Sequence, residues 1–326
     1  MRLLLTGVTG KVGQAFLPAF LEAPEFSGAS VVALCNNRTI PETERVSVIK
    51  GSINDPAVIE AALDGVTHVI HMAAVKESPE LVIDVSIKGM FLLLEQFRQS
   101  AEARQFVLIG GDCSVGHFFH DYPDPITETA PRRAYQGCYA LTKVIEEVML
   151  EQYGIQYGIN HCCLRAPWIM EKDDFKFAFS FGPDQFGGPG WDTLIDPVEL
   201  GQYSGGGYVP LMHDHSGAAL KRNFVHVDDL VAAMLASLDH PGAMGQTFNI
   251  AMDEPVDYAR AAIQISEKYG LKPVEIPTPF HSNWLANTKA RHVLGWAPEV
   301  RLETMIERAF NFERGAEEPR KIWYPG

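Results

Sequence analysis

The sequence predicts an α/β fold in which helices cover both faces of a parallel sheet. Two observations support this prediction. Short apolar or β-branched runs, typical of strands buried on both faces, lie at residues 3–6, 31–34, 66–71 and 106–109. Segments with helix start and stop patterns lie between these runs. The strand, helix, strand order implies parallel strands joined by crossovers, and therefore a doubly wound sheet.

Two helices of the amino-terminal half have recognisable starts. Asp55 followed by Pro56 combines an N-cap residue with a first-turn proline. Ser78 followed by Pro79 repeats this pattern ahead of a long helix that runs towards Ser100. Both starts follow a predicted strand, as crossover helices should.

Glycine and aromatic residues become more frequent between residues 171 and 221. Phe175, Phe177, Phe179 and Phe181 alternate there with other residues, and a period of two favours a strand with one aromatic face. Such a strand either packs at the edge of the core or forms a wall or lid of a substrate pocket. The elements predicted beyond it are strands at 224–227 and 247–250 and helices at 229–238 and 258–270.

Composition and charge exclude several classes of function. The 326 residues are 46% hydrophobic and 21% charged, as in globular chains with a sizeable core. The net charge of −14 and the lack of a Lys/Arg block argue against a nucleic-acid partner. No run approaches the roughly 18 apolar residues of a membrane span, so no membrane partner is expected.

The cysteines indicate a reducing compartment. They number five, and none stands in a CxxC pair. The apolar run at the amino terminus is too short for a signal peptide, so we expect a cytoplasmic protein. His213 and His215 form an HxH pair without an identifiable third ligand, and we expect no metal site.

The first motif with chemical meaning is the stretch TGVTGKVG at residues 6–13, directly after the opening strand. Gly7 permits a tight turn, and Gly10 lets the backbone approach a pyrophosphate. Gly13 allows a helix to pack closely on the strand, with the phosphates at the helix amino terminus. The position of the motif predicts an NAD(P)-binding domain of the Rossmann type.

The second motif pairs Tyr139 with Lys143. A spacing of four places the phenol and the ammonium on one helix face. A nearby cation favours the phenolate and lowers the Tyr pKa from about 10 towards working pH. Such a tyrosine can exchange a proton with a substrate hydroxyl or carbonyl. The same helix carries an apolar stripe, formed by Leu141, Val144, Ile145, Val148 and Met149.

With these two motifs, the chain resembles the extended short-chain dehydrogenase/reductase family, which contains nucleotide-sugar epimerases and dehydratases. Further stretches agree with this resemblance, at residues 51–55, 71–74, 164–167, 223–229 and 294–298. The resemblance covers almost the whole chain. It implies two domains: residues 1–167 with 223–251 bind NAD(P), and residues 168–222 with 252–326 form a smaller substrate-binding domain.

The resemblance also implies roles for individual residues. Tyr139 would be the catalytic acid/base, and Lys143 would bind the nicotinamide ribose as well as tune Tyr139. The other residues implied in cofactor binding are Gly7, Thr9, Gly10, Lys11, Val12, Gly13, Asn36, Arg38, Ser52, Ile53, Met72, Ala73, Ala74, Ile109, Ala166, Pro167 and Trp168.

One position departs from the family pattern. The family usually carries a Ser or Thr after the fourth strand of the fold, where it bonds the reacting sugar oxygen, but Gly111 occupies that place here. Three interpretations stay open. Asp112 acts as an acid or orients the substrate; Ser114 supplies the hydroxyl from a shifted loop; or both are structural, Asp112 as a turn former, and Tyr139 works alone or with water.

The choice between NAD and NADP is also open. NAD enzymes normally keep an acidic residue at the end of the second strand, to hold the ribose hydroxyls. Here that turn reads Cys35, Asn36, Asn37, Arg38, and Ser52 stands where the family often has an Asp. Arg38 can pair with a 2′-phosphate, which favours NADP slightly over NAD.

Fewer residues bear on the substrate. Arg222 matches an arginine that contacts the nucleotide diphosphate in the epimerases, although it equally suits a surface ion pair. Lys76 lies in a short segment, 75–79, that looks more like the corresponding loop of uronate dehydrogenases, which oxidise free sugar acids. We therefore expect Lys76, Asp112 and Arg222 to contact a sugar, either nucleotide-linked or free.

The main hypothesis is an NAD(P)-dependent sugar oxidoreductase or epimerase. The alternative, suggested by Gly111, is a module that binds NAD(P) as a sensor without catalysis. The family commonly dimerises by pairing its two long helices, here near residues 78–100 and 139–153. The apolar stripe allows such a homodimer, although it equally suits packing against the sheet.

Overall fold

The computed structural model describes residues 1–182, 190–316 and 318. The remaining residues, 183–189, 317 and 319–326, all fall in the predicted substrate-binding domain and lie outside the described part. The strands are β1 (Arg2–Thr6), β2 (Ser30–Cys35), β3 (Val46–Lys50), β4 (His68–His71), β5 (Gln105–Gly111), β6 (His161–Ala166), β7 (Trp168–Met170), β8 (Tyr208–His213), β9 (Lys221–Arg222), β10 (Phe224–His226), β11 (Gln246–Asn249), β12 (Val256–Asp257) and β13 (Lys272–Pro277).

The helices alternate with these strands. They are α1 (Lys11–Glu22), α2 (Pro56–Leu63), α3 (Pro79–Val82), α4 (Gly89–Gln99), α5 (Cys138–Tyr157), α6 (Asp174–Ala178), α7 (Pro197–Tyr203), α8 (Val227–Ser237), α9 (Tyr258–Tyr269), α10 (Thr288–Leu294) and α11 (Leu302–Asn311). A π-helix over Ile83–Lys88 joins α3 to α4, so the helix predicted from Ser78 towards Ser100 is present with a wider turn inside it.

The central sheet has seven parallel strands in the order β3, β2, β1, β4, β5, β6, β11. The order reverses at β1 and β4, and their carboxyl ends therefore border the crevice where this fold binds ligands. Helices α1, α8 and α10 pack on one face of the sheet, and α2, α4 and α5 pack on the other. The predicted doubly wound fold is confirmed.

A second hydrophobic core lies beyond the sheet. It gathers apolar side chains from α6, α9 and α11 and from the short strand pairs β7–β10, β8–β13 and β9–β12. Helix α10, which the sequence suggested for the smaller domain, contributes Ala290 and Leu294 to a core of the central sheet instead.

The aromatic run at 175–181 is not the strand that its alternation predicted. Asp174–Ala178 form helix α6, and Phe175 and Phe179 pack with ring centres 4.8 Å apart. Residues four apart share one face in a helix as well as in a strand, so the spacing of the aromatic residues fits both. The prediction of a strand was therefore wrong.

No helix in the described part of the chain has the length and apolar character needed to cross a membrane.

Candidate active site

The glycine motif forms a tight cradle between β1 and α1. Gly7 has a φ of +73°, and a Cβ there would lie 2.7 Å from the backbone nitrogen of Ala73. A Cβ on Gly13 would lie 2.5 Å from Cα of Val8. Gly10 is the N-cap of α1 and offers no side-chain oxygen to the first N–H groups of the helix. These groups suit the pyrophosphate of a dinucleotide, so the residues present fit NAD(P).

Thr6 fastens the neighbouring loop, which leaves β4. Its Oγ1 accepts hydrogen bonds from the backbone N–H groups of Met72 and Ala73, each at 3.2 Å. The Thr6 hydroxyl also lies 2.7 Å from Nδ1 of the buried His71. Burial and the nearby Lys143 lower the pKa of His71 to about 3, so His71 is neutral. The two loops that border the crevice are thereby held together.

Tyr139 and Lys143 lie on α5, and a second lysine meets them from the opposite loop. The Lys143 Nζ lies 6.0 Å from the centre of the Tyr139 ring, whereas the Lys76 Nζ lies 3.9 Å from it. Burial, with Lys143 and Lys11 nearby, lowers the pKa of Lys76 to about 8. The structure therefore brings together Tyr139, Lys143 and Lys76, which the sequence assigned to two different roles.

Glu77 explains how Lys76 reaches this position. Gly137, the N-cap of α5, has no side chain, and the Glu77 carboxylate takes over by accepting from the Cys138 N–H at 2.8 Å. A carboxylate at a helix amino terminus is also favoured by the helix dipole. The Glu77 cap fixes the loop after β4 against α5, and the preceding residue, Lys76, therefore lies over the Tyr139 ring.

Lys143 is held in a buried ion pair. Its Nζ donates to Glu146 Oε2 at 2.7 Å and to the Ile109 carbonyl at 3.3 Å. Burial disfavours the ammonium, yet the Glu146 carboxylate holds the pKa of Lys143 above its ordinary value. Lys143 is therefore charged near the Tyr139 ring, and the Glu146 carboxylate provides a counter-charge one helical turn away.

Asp112 joins a buried chain of polar groups. Its carboxylate bonds Nδ1 of His117, and Nε of Arg222 donates to Nε2 of the same ring at 2.8 Å. The Arg222 guanidinium also lies over the Trp168 ring and 4.1 Å from the centre of the Phe118 ring. Burial lowers the pKa of His117, so the neutral ring accepts from Arg222 and donates to Asp112. Two residues expected at the substrate are thus joined through His117.

Ser114 lies in a separate network. Its hydroxyl donates to Glu147 Oε1 at 2.7 Å, and the Glu147 carboxylate also accepts two bonds from Arg165. Burial opposes the Glu147 charge, but these partners hold the pKa of Glu147 below its usual value. This geometry favours the structural interpretation for Ser114, since its hydroxyl is bonded within the core.

The remaining residues suggested for the cofactor lie in several elements of the fold. Asn36 and Arg38 are exposed in the turn after β2, and the Ser52 hydroxyl donates to Asn54 at 2.7 Å. Lys11 pairs with Asp174 and donates to the Ile169 carbonyl at 2.9 Å, which ties α1 to α6. Of the other members, Ile109 and Ala166 lie in β5 and β6, and Val12 lies in α1. The rest lie in segments that follow β1, β3, β4 and β6, namely Thr9, Ile53, Ala74 and Pro167.

Three polar residues of the site were missed in the sequence. Glu77 and His117 lie in loops, and only the fold shows what they contact. Glu146 had a usable pattern, because residues three apart share a helix face and it stands three after Lys143. No three potential metal ligands converge within the described ranges.

Comparison with known proteins agrees with this geometry. The family model described as "NAD dependent epimerase/dehydratase family" matches residues 3–251. A UDP-glucose 4-epimerase of Mycolicibacterium smegmatis is 27% identical, over 96% of this chain and 99% of its own length. UDP-glucuronate 4-epimerase 1 of Arabidopsis thaliana is 26% identical, over 94% of this chain and 75% of its own length.

Solved structures share the fold over nearly the whole chain. A short-chain dehydrogenase/reductase superfamily protein of Agrobacterium tumefaciens with bound NAD superposes with a TM-score of 0.78 at 22% identity. The alignment covers 95% of this chain and 96% of the other. A UDP-glucose 4-epimerase of Thermotoga maritima with UDP-glucose has a TM-score of 0.71 at 19% identity, covering 95% and 98%.

Proposed function

This chain belongs to the NAD dependent epimerase/dehydratase family, and we propose that it oxidises or epimerises a sugar carbon with Tyr139 as the acid/base. The observation that carries the proposal is the meeting of Tyr139, Lys143 and Lys76 beside the glycine cradle. The epimerases and dehydratases among its relatives support a sugar substrate. The family membership also confirms the resemblance that the motifs predicted.

The cofactor would occupy the crevice at the carboxyl ends of β1 and β4. Gly7, Gly10 and Gly13 leave room for the pyrophosphate, and the first N–H groups of α1 face it. A bound nicotinamide supplies a hydride acceptor or donor. Relatives in solved structures bind NAD, and whether this chain prefers NAD or NADP is part of the proposal.

The chain's own residues handle the proton. Tyr139 accepts the proton of the sugar hydroxyl as the carbon is oxidised, and returns it when a carbonyl is reduced. Lys76 and Lys143 favour the phenolate that this step needs, because opposite charges nearby stabilise it. Lys143 and Glu146 are both buried, so their charges are little screened by solvent.

The substrate is either a nucleotide-linked sugar or a free sugar or sugar acid. The relatives named for UDP-sugars support the first. Arg222 is 3% exposed and already donates to His117, which supports the second, because a diphosphate would have to reach a buried guanidinium. Thermal unfolding with UDP or with D-glucuronate separates the two classes, since a ligand of the folded state raises Tm.

The decisive experiment is Tyr139→Phe. Turnover should fall by at least about a hundredfold, as expected for a lost general acid/base, while NAD(P) still binds. The panel is UDP-glucuronate, UDP-glucose and D-glucuronate, each with NAD and NADP. Tyr157→Phe, an exposed tyrosine on the same helix, is the matched control. Undiminished turnover in Tyr139→Phe would contradict the proposal.

A second candidate function is cofactor sensing without catalysis. Gly111 lacks the family's hydroxyl, and both nearby substitutes, Asp112 and Ser114, are bonded to His117 and Glu147. A sensor should bind NAD(P) and give no product with any member of the panel. Cofactor-dependent product from any sugar removes this candidate.

A further inference from the structure

A neighbouring side chain partly fills the space that a serine or threonine side chain would take at position 111. A Cβ on Gly111 would lie 2.8 Å from Cys113 Sγ, closer than real Cβ atoms approach sulfur. A Ser or Thr at position 111 would therefore require the Cys113 thiol to move. The family's hydroxyl is absent, and a sulfur fills part of the space where it would stand.

The turn that follows β5 places this sulfur next to Gly111. Residues Asp112–Val115 form one 3-10 turn, closed by bonds from the N–H groups of Gly116 and His117 to the carbonyls of Cys113 and Asp112. A turn of this kind folds residue 113 back towards residue 111. A glycine at position 111 is what allows the approach.

The Cys113 thiol is buried, but it lies outside the hydrophobic clusters that the described residues form and interacts electrostatically with several charged groups. In the described part of the chain, Cys113 belongs to none of the hydrophobic cores, unlike Cys162 and Cys163. Asp112, Lys143 and Lys76 act on it electrostatically, so it lies among the groups of the proposed site. Burial and the Asp112 carboxylate raise the pKa of Cys113 to about 12, which keeps its proton on the sulfur.

We propose that the Cys113 thiol replaces the missing hydroxyl and donates a hydrogen bond to the oxygen on the reacting sugar carbon. This inference rests on the proposed function. The thiol keeps its proton throughout, so the bonds made and broken remain those of the Tyr139 reaction. Cys113 thereby joins Tyr139 and the two lysines as a catalytic group, which the sequence pattern of Ser or Thr could not reveal.

Four variants and one control test this proposal by kcat/KM on the panel above. Cys113→Ala should lower kcat/KM about tenfold, the value of one modest hydrogen bond. Cys113→Ser should stay within about threefold of the parent, because a hydroxyl is also a donor. Gly111→Ser alone should be impaired, whereas Gly111→Ser with Cys113→Ala should exceed Cys113→Ala, since the space for a serine is then open.

Cys162→Ala is the matched control, because that thiol is equally buried, with its pKa also raised to about 12 by burial. Its kcat/KM should equal that of the parent. If Cys113→Ala behaves like Cys162→Ala, or if Cys113→Ser is as impaired as Cys113→Ala, the proposal is overturned. Loss in Tyr139→Phe without loss in Cys113→Ala would reject this role and leave the proposed function standing.

A spectroscopic readout is independent of turnover. The S–H stretch of Cys113 is identified in the infrared spectrum by its loss in Cys113→Ala. In the Tyr139→Phe protein, addition of NAD with D-glucuronate or UDP-glucuronate should shift this band to lower wavenumber, as a stronger hydrogen bond requires. An unshifted band at saturating cofactor and sugar rejects the role of Cys113, whatever the activity of the parent.

Discussion

Lys143 donates to Glu146 at 2.7 Å, both side chains are buried, and the Lys143 Nζ lies 6.0 Å from the centre of the Tyr139 ring. The carboxylate cancels part of the field that Lys143 exerts on the phenol, because an ion pair acts at a distance as a dipole. Lys76, at 3.9 Å from the ring centre, then supplies the net positive charge. The proposed site thus relies on two lysines where the sequence motif names one.

The Lys143–Glu146 pair should respond to mutation as a unit. Glu146→Leu or Lys143→Met alone should lower the free energy of unfolding by about 3–5 kcal/mol, because each leaves an unpaired buried charge. The double variant should lose less than the sum of the two. Urea unfolding of the four proteins measures this coupling, and strict additivity would contradict it.

Lys76 should give the stability a distinctive pH dependence. Its pKa falls from 10.5 to about 8 in the folded protein through burial, so between these values the unfolded chain binds more protons. Stability contributed by this group therefore rises as the pH increases from 8 to 10.5, by up to about 3 kcal/mol. Below pH 8 the cost of this half-buried charge is fully present.

Lys76→Met should remove this cost. The variant should be more stable than the parent at pH 7, and the difference should shrink towards pH 10.5. Thermal unfolding across this range measures it, with Lys272→Met, at an exposed position of β13, as the control. A difference that does not change with pH would mean that Lys76 keeps its ordinary pKa.

The predictable parts of the fold are those set by local pattern. The cap at Asp55 accepts from the Ala57 N–H as expected, and α9 ends at Gly270 in the left-handed region. The aromatic run failed because Phe175 and Phe179 share a face under either periodicity. Its helical outcome depends on partners such as Phe224 and Tyr258, which come from distant parts of the chain.

The site was predictable only where one element carries it. Tyr139 and Lys143 lie on α5, so their spacing alone places them together. In the sequence, Gly111 indicates only that the family's hydroxyl is missing. The Cys113 sulfur is brought next to Gly111 by the geometry of a turn, which the sequence pattern does not show. The pairing of Asp112 with Arg222 passes through His117, and no sequence spacing encodes that contact.

Arg38 bears on the choice of cofactor. It is exposed in the turn after β2, where an acidic residue would favour NAD, and a guanidinium can pair with the 2′-phosphate of NADP. Arg38→Ala should weaken NADP binding about tenfold and leave NAD binding nearly unchanged. Calorimetric titration measures both. Arg104→Ala is the control, because this exposed residue directly precedes β5 and so lies at the amino ends of the strands. Equal losses for both cofactors would exclude this role.

Helix α5 buries several charged side chains and exposes several apolar ones. Its charged residues Lys143, Glu146 and Glu147 face the protein interior, whereas Leu141 and Val148 are exposed. At Leu141 and Val148 the apolar stripe therefore faces away from the sheet, whereas Met149 packs against a core of the sheet. Exposed apolar side chains continue onto the neighbouring helical segment, at Leu81, Ile83 and Phe91. An apolar surface across two adjacent helices is typical of an interface, and we expect a homodimer formed by pairing this surface with itself.

Leu141→Glu combined with Val148→Glu should dissociate that dimer, because the symmetric interface would bring four carboxylates together in an apolar contact. Sedimentation equilibrium should give a monomer mass for this variant and a dimer mass for the parent. Ile263→Glu, an exposed apolar residue on α9, should leave the dimer intact. A parent that sediments as a monomer, or a double variant that remains dimeric, would show that the exposed stripe of α5 serves another purpose.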